Sequence, residues 1–196
     1  MRLVETVDGE SAVMGIGLPL ASALGLDIPG LHDFPAFSSP GTTIPATPAA
    51  LWCWLRGDDR GTLLHRARDI EHLSAPSFTL YQSLETFRYE NSLDLTGYED
   101  GTENPRNGEA ISAAFTAGQG PGLDGGSIAA IQQWVHDLDR FQALPAEEQD
   151  NTFGRRKADN EEIDEALFRF TQPITGAYFW CPPMAGGQPD LQALRL

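Results

Sequence analysis

Apolar positions along this chain change their period several times, and each change marks a predicted element. Ala49 to Leu55 is an almost unbroken apolar run that reads as a strand. From Asp58 to Leu73 the apolar residues Leu63, Leu64, Ala67, Ile70 and Leu73 recur at helical spacing and define one stripe, with His65 and His72 opposite it. Phe78 to Tyr81 and Phe87 to Tyr89 read as short strands, and Ile128 to His136 as another. A pair of helices is predicted around Asp137 to Leu144 and Pro145 to Ile163, since proline is tolerated at a helix start. A last strand runs from Ile174 to Trp180. Before all of these, residues 1–48 hold a short apolar segment around Val13 to Ile16, a second from Leu18 to Leu26, and a loop rich in Pro, Ser and Thr ending at Pro48.

The order of strands and helices predicts an α+β fold with antiparallel sheets, its first half built like a split βαβ unit of the ferredoxin-like kind. One domain is expected over residues 1–196, with a first half of about 1–96, a loop at 97–109 and a second half of about 110–196. Thr116 to Gly126 is rich in glycine, but it precedes a strand instead of opening a helix. A turn fits it better than a nucleotide-binding loop.

The chemistry concentrates in Gly97-Tyr98-Glu99-Asp100-Gly101-Thr102-Glu103-Asn104-Pro105, which sets an acid between two glycines in a polar loop. Glycine allows positive φ and close approach of a flat ligand, and Asp100 would point into the space so opened. Taken alone, Asp-Gly also suits a turn capped by its own carboxylate. The nine-residue run resembles the GxxDG motif of the DyP-type (dye-decolorizing) haem peroxidases, with the extension typical of their cytoplasmic branch. Ala49 to Leu55, Gly126 to His136, Leu144 to Gln149, Gly154 to Glu162 and Leu167 to Phe179 resemble further segments of that family in the same order.

The resemblance implies haem b as cofactor, hydrogen peroxide as oxidant, and a small organic reductant such as a dye or phenol. It gives Asp100 the role of distal acid and base, and places Gly97, Asp100, Gly101, Thr102, Glu103 and Asn104 against the cofactor. The chain also departs from the family. Asn160-Glu161-Glu162-Ile163-Asp164 runs directly into Glu165-Ala166-Leu167-Phe168, without the intervening stretch that carries the family's proximal histidine and distal arginine. The first strand and helix of the family are also expected to be missing.

No histidine is a natural replacement ligand. His65 and His72 fall opposite the helix stripe, His136 ends a strand at a position that is not the ligand in the family, and His32 lies in a proline-rich loop. Cys181-Pro182 has the form of a thiolate ligand for haem, yet Cys53 and Cys181 both sit among strand aromatics and read as core. Neither metal-ligand spacing nor a disulfide framework is present, and no metal site is predicted. The two expectations that follow are a haem-dependent peroxidase and a haem-free relative that serves as a binding or interaction module.

A net charge of -15 argues against nucleic acid and anionic membranes as partners. Glu85, Glu90, Asp94, Glu99, Asp100 and Glu103 crowd negative charge around the loop, as either an attractor of cationic reductants or a solvated face. No apolar run reaches the length of a membrane span, the first residues lack a secretion signal, and a cytoplasmic location is expected. The last residues, Gly186 to Leu196, do not resemble an encapsulin-targeting tail. The shortened second half predicts exposed sheet edges and therefore a homo-oligomer, a dimer in the simplest case.

Overall fold

The computed structural model describes residues 3–39, 42–163 and 174–181. As the hydrophobic pattern predicts, the fold is α+β with antiparallel sheets. Strands β1 (Ala12–Ile16), β4 (Leu51–Leu55), β5 (Ser127–Trp134) and β6 (Ile174–Cys181) form one sheet in the order β4-β1-β6-β5. A separate hairpin joins β2 (Phe37–Ser39) to β3 (Thr42–Ile44). Every pairing in both sheets is antiparallel.

The unbroken apolar run of β4 has a direct physical cause, because the strand is covered on both faces. Side chains alternate across a sheet, so Trp52 and Trp54 point one way while Cys53 and Leu55 point the other. All four are buried. Trp52 and Trp54 stack 5.9 Å apart and pack with Ile131 and Ala129 of β5. Cys53 and Leu55 pack with Ala12 and with Ile70 of helix α2 (Arg60–Ser74). The helix begins where Asp59 accepts a hydrogen bond from the Thr62 amide, which satisfies one of the free donors of the first turn.

Helix α1 (Leu18–Ala23) and the loop after it supply a third apolar cluster, in which Ala21, Ile28 and Leu31 meet Ile16 and Ile128. Three further helices, α3 (Asn107–Ala114), α4 (Leu138–Gln142) and α5 (Ala146–Phe153), belong to the second part of the chain.

Several expectations are corrected. Phe78 to Tyr81 and Phe87 to Tyr89 form no strand, and Tyr81 and Phe87 are exposed. Strand preference is realised through cross-strand neighbours, and the sheet offers these residues none. Leu64 does not join the stripe of α2 but stands 58% exposed, leaving Leu63, Ala67 and Ile70 as its inward face. The helix predicted through Ile163 ends at Phe153, where Gly154 turns left-handed at φ 74°. Helix α3 lies partly within the stretch read as loop, because Ala110 to Ala114 supply helix-forming residues just after the Asn-Gly pair. Leu167 to Pro173 and the residues beyond Cys181, with the Gly186 to Leu196 tail, lie outside the described residues.

The register of α2 is open to a paired test by urea denaturation. Ile70→Ala is expected to lose about 2–5 kcal/mol through cavity formation, whereas Leu64→Ala is expected to change stability by less than about 0.5 kcal/mol.

Candidate active site

The loop from Asp94 to Asn104 is polar and largely exposed, so it has no hydrophobic reason to hold one shape. It is fixed instead from its own base and from the segment Asp150 to Glu162. At the base, the Asp94 carboxylate accepts the Thr96 amide at 2.9 Å and the Thr96 hydroxyl at 2.5 Å. The Gly97 amide donates to the Asp94 carbonyl, and the Asp94 amide to the Tyr98 carbonyl. His136, beyond the end of β5, donates from Nε2 to the other Asp94 oxygen at 2.9 Å.

Tyr98 anchors the centre. Its ring is 3% exposed, lies flat against Phe153 at 4.1 Å and meets the edge of Phe141. Its hydroxyl donates to Asp150 Oδ1 at 2.6 Å. Burial, reinforced by that carboxylate, pushes the phenol well above its ordinary value and keeps it protonated.

The chain after α5 closes over the far side as a tight turn rather than the expected helix. Arg155 bridges to Glu162 across it, and the Arg156 amide donates to the Glu161 carbonyl. Three side chains then reach the loop. Lys157 Nζ donates to the Thr96 carbonyl at 2.7 Å. The Asn160 amide group donates to Glu99 at 2.8 Å and to the Thr102 hydroxyl at 2.9 Å. Arg155 forms an ion pair with Glu103. None of these partners was singled out as a site residue from the sequence. The signal was the cationic run Arg155-Arg156-Lys157 in a strongly acidic chain.

Asp100 differs from its neighbours. Of the four acids between residues 94 and 103, Asp94, Glu99 and Glu103 are engaged by His136, Asn160 and Arg155. Asp100 is exposed and accepts only the next residue's amide, from Gly101 at 2.7 Å, leaving Oδ2 without a partner among the described residues. The glycines on either side have positive φ, 87° at Gly97 and 68° at Gly101. Both are crowded by the protein itself. A Cβ at Gly97 would lie 2.7 Å from Lys157 Nζ, and one at Gly101 would lie 2.5 Å from the Asn104 side-chain nitrogen.

The Dyp-type peroxidase C-terminal family matches residues 91–166, which contain this loop and the turn that holds it. A dye-decolorizing peroxidase of Mycolicibacterium paratuberculosis is 33% identical over 135 residues, 69% of this chain and 38% of the relative. Another, from Rhodococcus erythropolis, is 32% identical over 160 residues, 80% of this chain and 47% of the relative. The chain belongs to the DyP-type peroxidase family. It spans less than half the length of these two DyP-type relatives. Among solved structures, DyPB from Rhodococcus jostii RHA1 superposes with a TM-score of 0.69 at 25% identity, over 88% of this chain and 65% of that one. A variant of the same R. jostii protein in complex with heme gives a TM-score of 0.70 at 25% identity, over 88% of this chain and 66% of that one. The dye-decolorizing protein from V. cholerae, at 19% identity and a TM-score of 0.71, covers 87% of this chain and 79% of its own, and it agrees in fold alone.

Among the described residues no side chain is placed as an axial ligand for the haem that the DyP-type family implies, and the side chain of Cys181 lies outside the described ones. All four histidines of the sequence are described, and none is placed as an iron ligand. His65 and His72 are exposed on α2, His32 is held to the Gly30 carbonyl, and His136 is engaged with Asp94. Cys53 is packed in the apolar cluster of Ala12, Leu55 and Ile70, where burial pushes its thiol up to about 12. The open hollow along the start of α3 is lined by Pro105, Arg106, Asn107, Glu109, Ser112 and neighbouring small residues, with no large apolar side chain to face a macrocycle. A second cavity, beside Cys53 and Ile70, has only about 60 Å³.

Burial opposes ionisation of Asp94, but its hydrogen bonds from Thr96 and His136 outweigh that effect and hold the carboxyl below its ordinary value. A depressed folded-state value means that this stabilisation is complete above the unfolded value, near pH ~4, and is lost as pH falls through the folded one. Urea unfolding across that acid range is expected to show a shallower fall in stability for Asp94→Asn than for the parent protein, from a lower starting stability at neutral pH.

Proposed function

We propose that this chain serves the peroxidase chemistry of its family, in which hydrogen peroxide is reduced and a dye, phenol or similar organic reductant is oxidised with haem as cofactor. Asp100 is the acid and base of that reaction. The observation that carries this reading is the selective freedom of Asp100, the one loop acid whose carboxylate is tied, among the described residues, to no group outside its own turn. A carboxylate with a free oxygen at solvent can take a proton from hydrogen peroxide and return it, while its bond to the Gly101 amide keeps it oriented. Thr102 and Glu103, which the sequence resemblance sets against the cofactor, are engaged with Asn160 and Arg155, and they serve here to hold the backbone on which Asp100 stands.

No histidine stands as an iron ligand at its own chain's loop, so in this reading a second copy of the chain contributes one, from His65 or His72 exposed on α2. The placement of the histidines favours a second reading as well, a haem-free relative that acts as a binding or interaction module. Among the described residues no helix is long and apolar enough to cross a membrane.

A haem titration of the purified protein separates the two readings. Under the first, a saturable Soret band forms, and Asp100→Ala keeps that band while losing about 10²–10⁴-fold in peroxide-dependent dye turnover. A folded protein that gives no specific band at any concentration supports the second reading and overturns the first.

A further inference from the structure

We infer that Lys157 is a positioning residue for Asp100, acting through an interlock with Gly97. The inference deepens the proposed role of Asp100 and rests on it. The ammonium group of Lys157 lies where three features of the loop converge. It donates to the Thr96 carbonyl at 2.7 Å, sits 5.4 Å from the centre of the Tyr98 ring, and occupies the space a side chain at Gly97 would need. The Lys157 backbone is fixed at the same time, because its amide donates to Asp150 Oδ1 at 3.0 Å, the atom that also accepts the Tyr98 hydroxyl. One carboxylate therefore sets both the lysine and the tyrosine, and the lysine side chain returns across the tyrosine to the peptide just before Gly97.

This arrangement gives the first glycine of the motif a reason that lies within the protein. Gly97 is needed for its φ of 87°, and a Cβ there would in addition make the flexible end of Lys157 shift, since Nζ would lie 2.7 Å and Cε 2.9 Å from it. In this reading that shift loosens the ammonium's bond to the Thr96 carbonyl. Asp100 lies three residues further along the same loop, and its own contact to Gly101 is too local to fix its place relative to the sheet and helices. The outside contacts on its amino-terminal side come from His136 at Asp94, Lys157 at Thr96, Asp150 at Tyr98 and Asn160 at Glu99. Of these, only Lys157 combines a charged hydrogen bond to backbone with steric occupation of the glycine.

Amide hydrogen exchange and a double-mutant cycle test the interlock on the protein without haem, peroxide or reductant. Lys157→Met keeps most of the stem and removes the donor. It is expected to speed exchange of the Gly97, Tyr98 and Gly101 amides on the order of tenfold or more, the scale of one lost hydrogen bond from a charged donor, with α2 unchanged. Lys157→Arg, whose guanidinium can still donate to the Thr96 carbonyl, is expected to restore protection. In the cycle, Gly97→Ala is expected to lower the denaturation midpoint less in a Lys157→Ala background than in the parent, because the collision is gone and only the backbone strain remains. Unchanged loop exchange in Lys157→Met, or additive effects in the cycle, overturns the inference. If Lys157→Met fails to fold, Lys157→Gln is read in its place. Global loss of structure in both also overturns it, since the lysine would then support the whole molecule and not the loop. These measurements stand apart from turnover, so the interlock and the peroxidase reading can fail independently.

Discussion

One buried phenol ring holds the functional end of this molecule together. The loop that carries Asp100 is acidic, rich in glycine and mostly solvated, and such a segment has little apolar surface with which to offset the entropy of being ordered. Tyr98 supplies that surface in a single side chain. Its ring is sandwiched in the aromatic group of Phe141 and Phe153, and its hydroxyl ends on Asp150 instead of being left unsatisfied. Helices α4 and α5 thereby become a platform for the loop. The polar contacts from His136, Lys157, Asn160 and Arg155 then have a fixed frame on which to act.

Much of the fold was legible where burial is two-sided or strictly periodic. The run Leu51 to Leu55 announced itself because both faces of β4 are covered, and α2 was visible from the spacing of Leu63, Ala67 and Ile70. Reading failed where the deciding information lies elsewhere in the chain. Phe78 to Tyr81 and Phe87 to Tyr89 have the composition of strands, but composition does not say whether a neighbouring strand exists. Leu64 satisfied an approximate helical pattern, yet one residue is a rotation of about 100°, enough to carry it from the core to solvent. The helical reading beyond Phe153 missed the αL turn at Gly154, although a glycine at that place is a common stop signal.

For the site, the motif residues were legible and their supports were not. Gly97 to Pro105 is contiguous, so a single run of sequence reveals it. Its partners come from Asp94 and His136 on one side and from Asp150 to Glu162 on the other, about fifty residues away. Pairing of that kind leaves no local trace beyond a few cations in an acidic chain. The glycines illustrate the difference: their positive φ was predictable from residue type, whereas the atoms that crowd them are set by the fold.

The crowding of Gly97 also bears on how substitution data from this family are to be interpreted. Invariance of a glycine beside a reactive acid is commonly taken as the imprint of a small molecule that needs the room. Here the room is already taken by an amine of the same polypeptide. A selection experiment that rejects every side chain at this position would therefore be recording the left-handed backbone and an intramolecular contact, and the genetic signature of a ligand would have to be sought at Asp100, whose outer oxygen has no partner among the described residues.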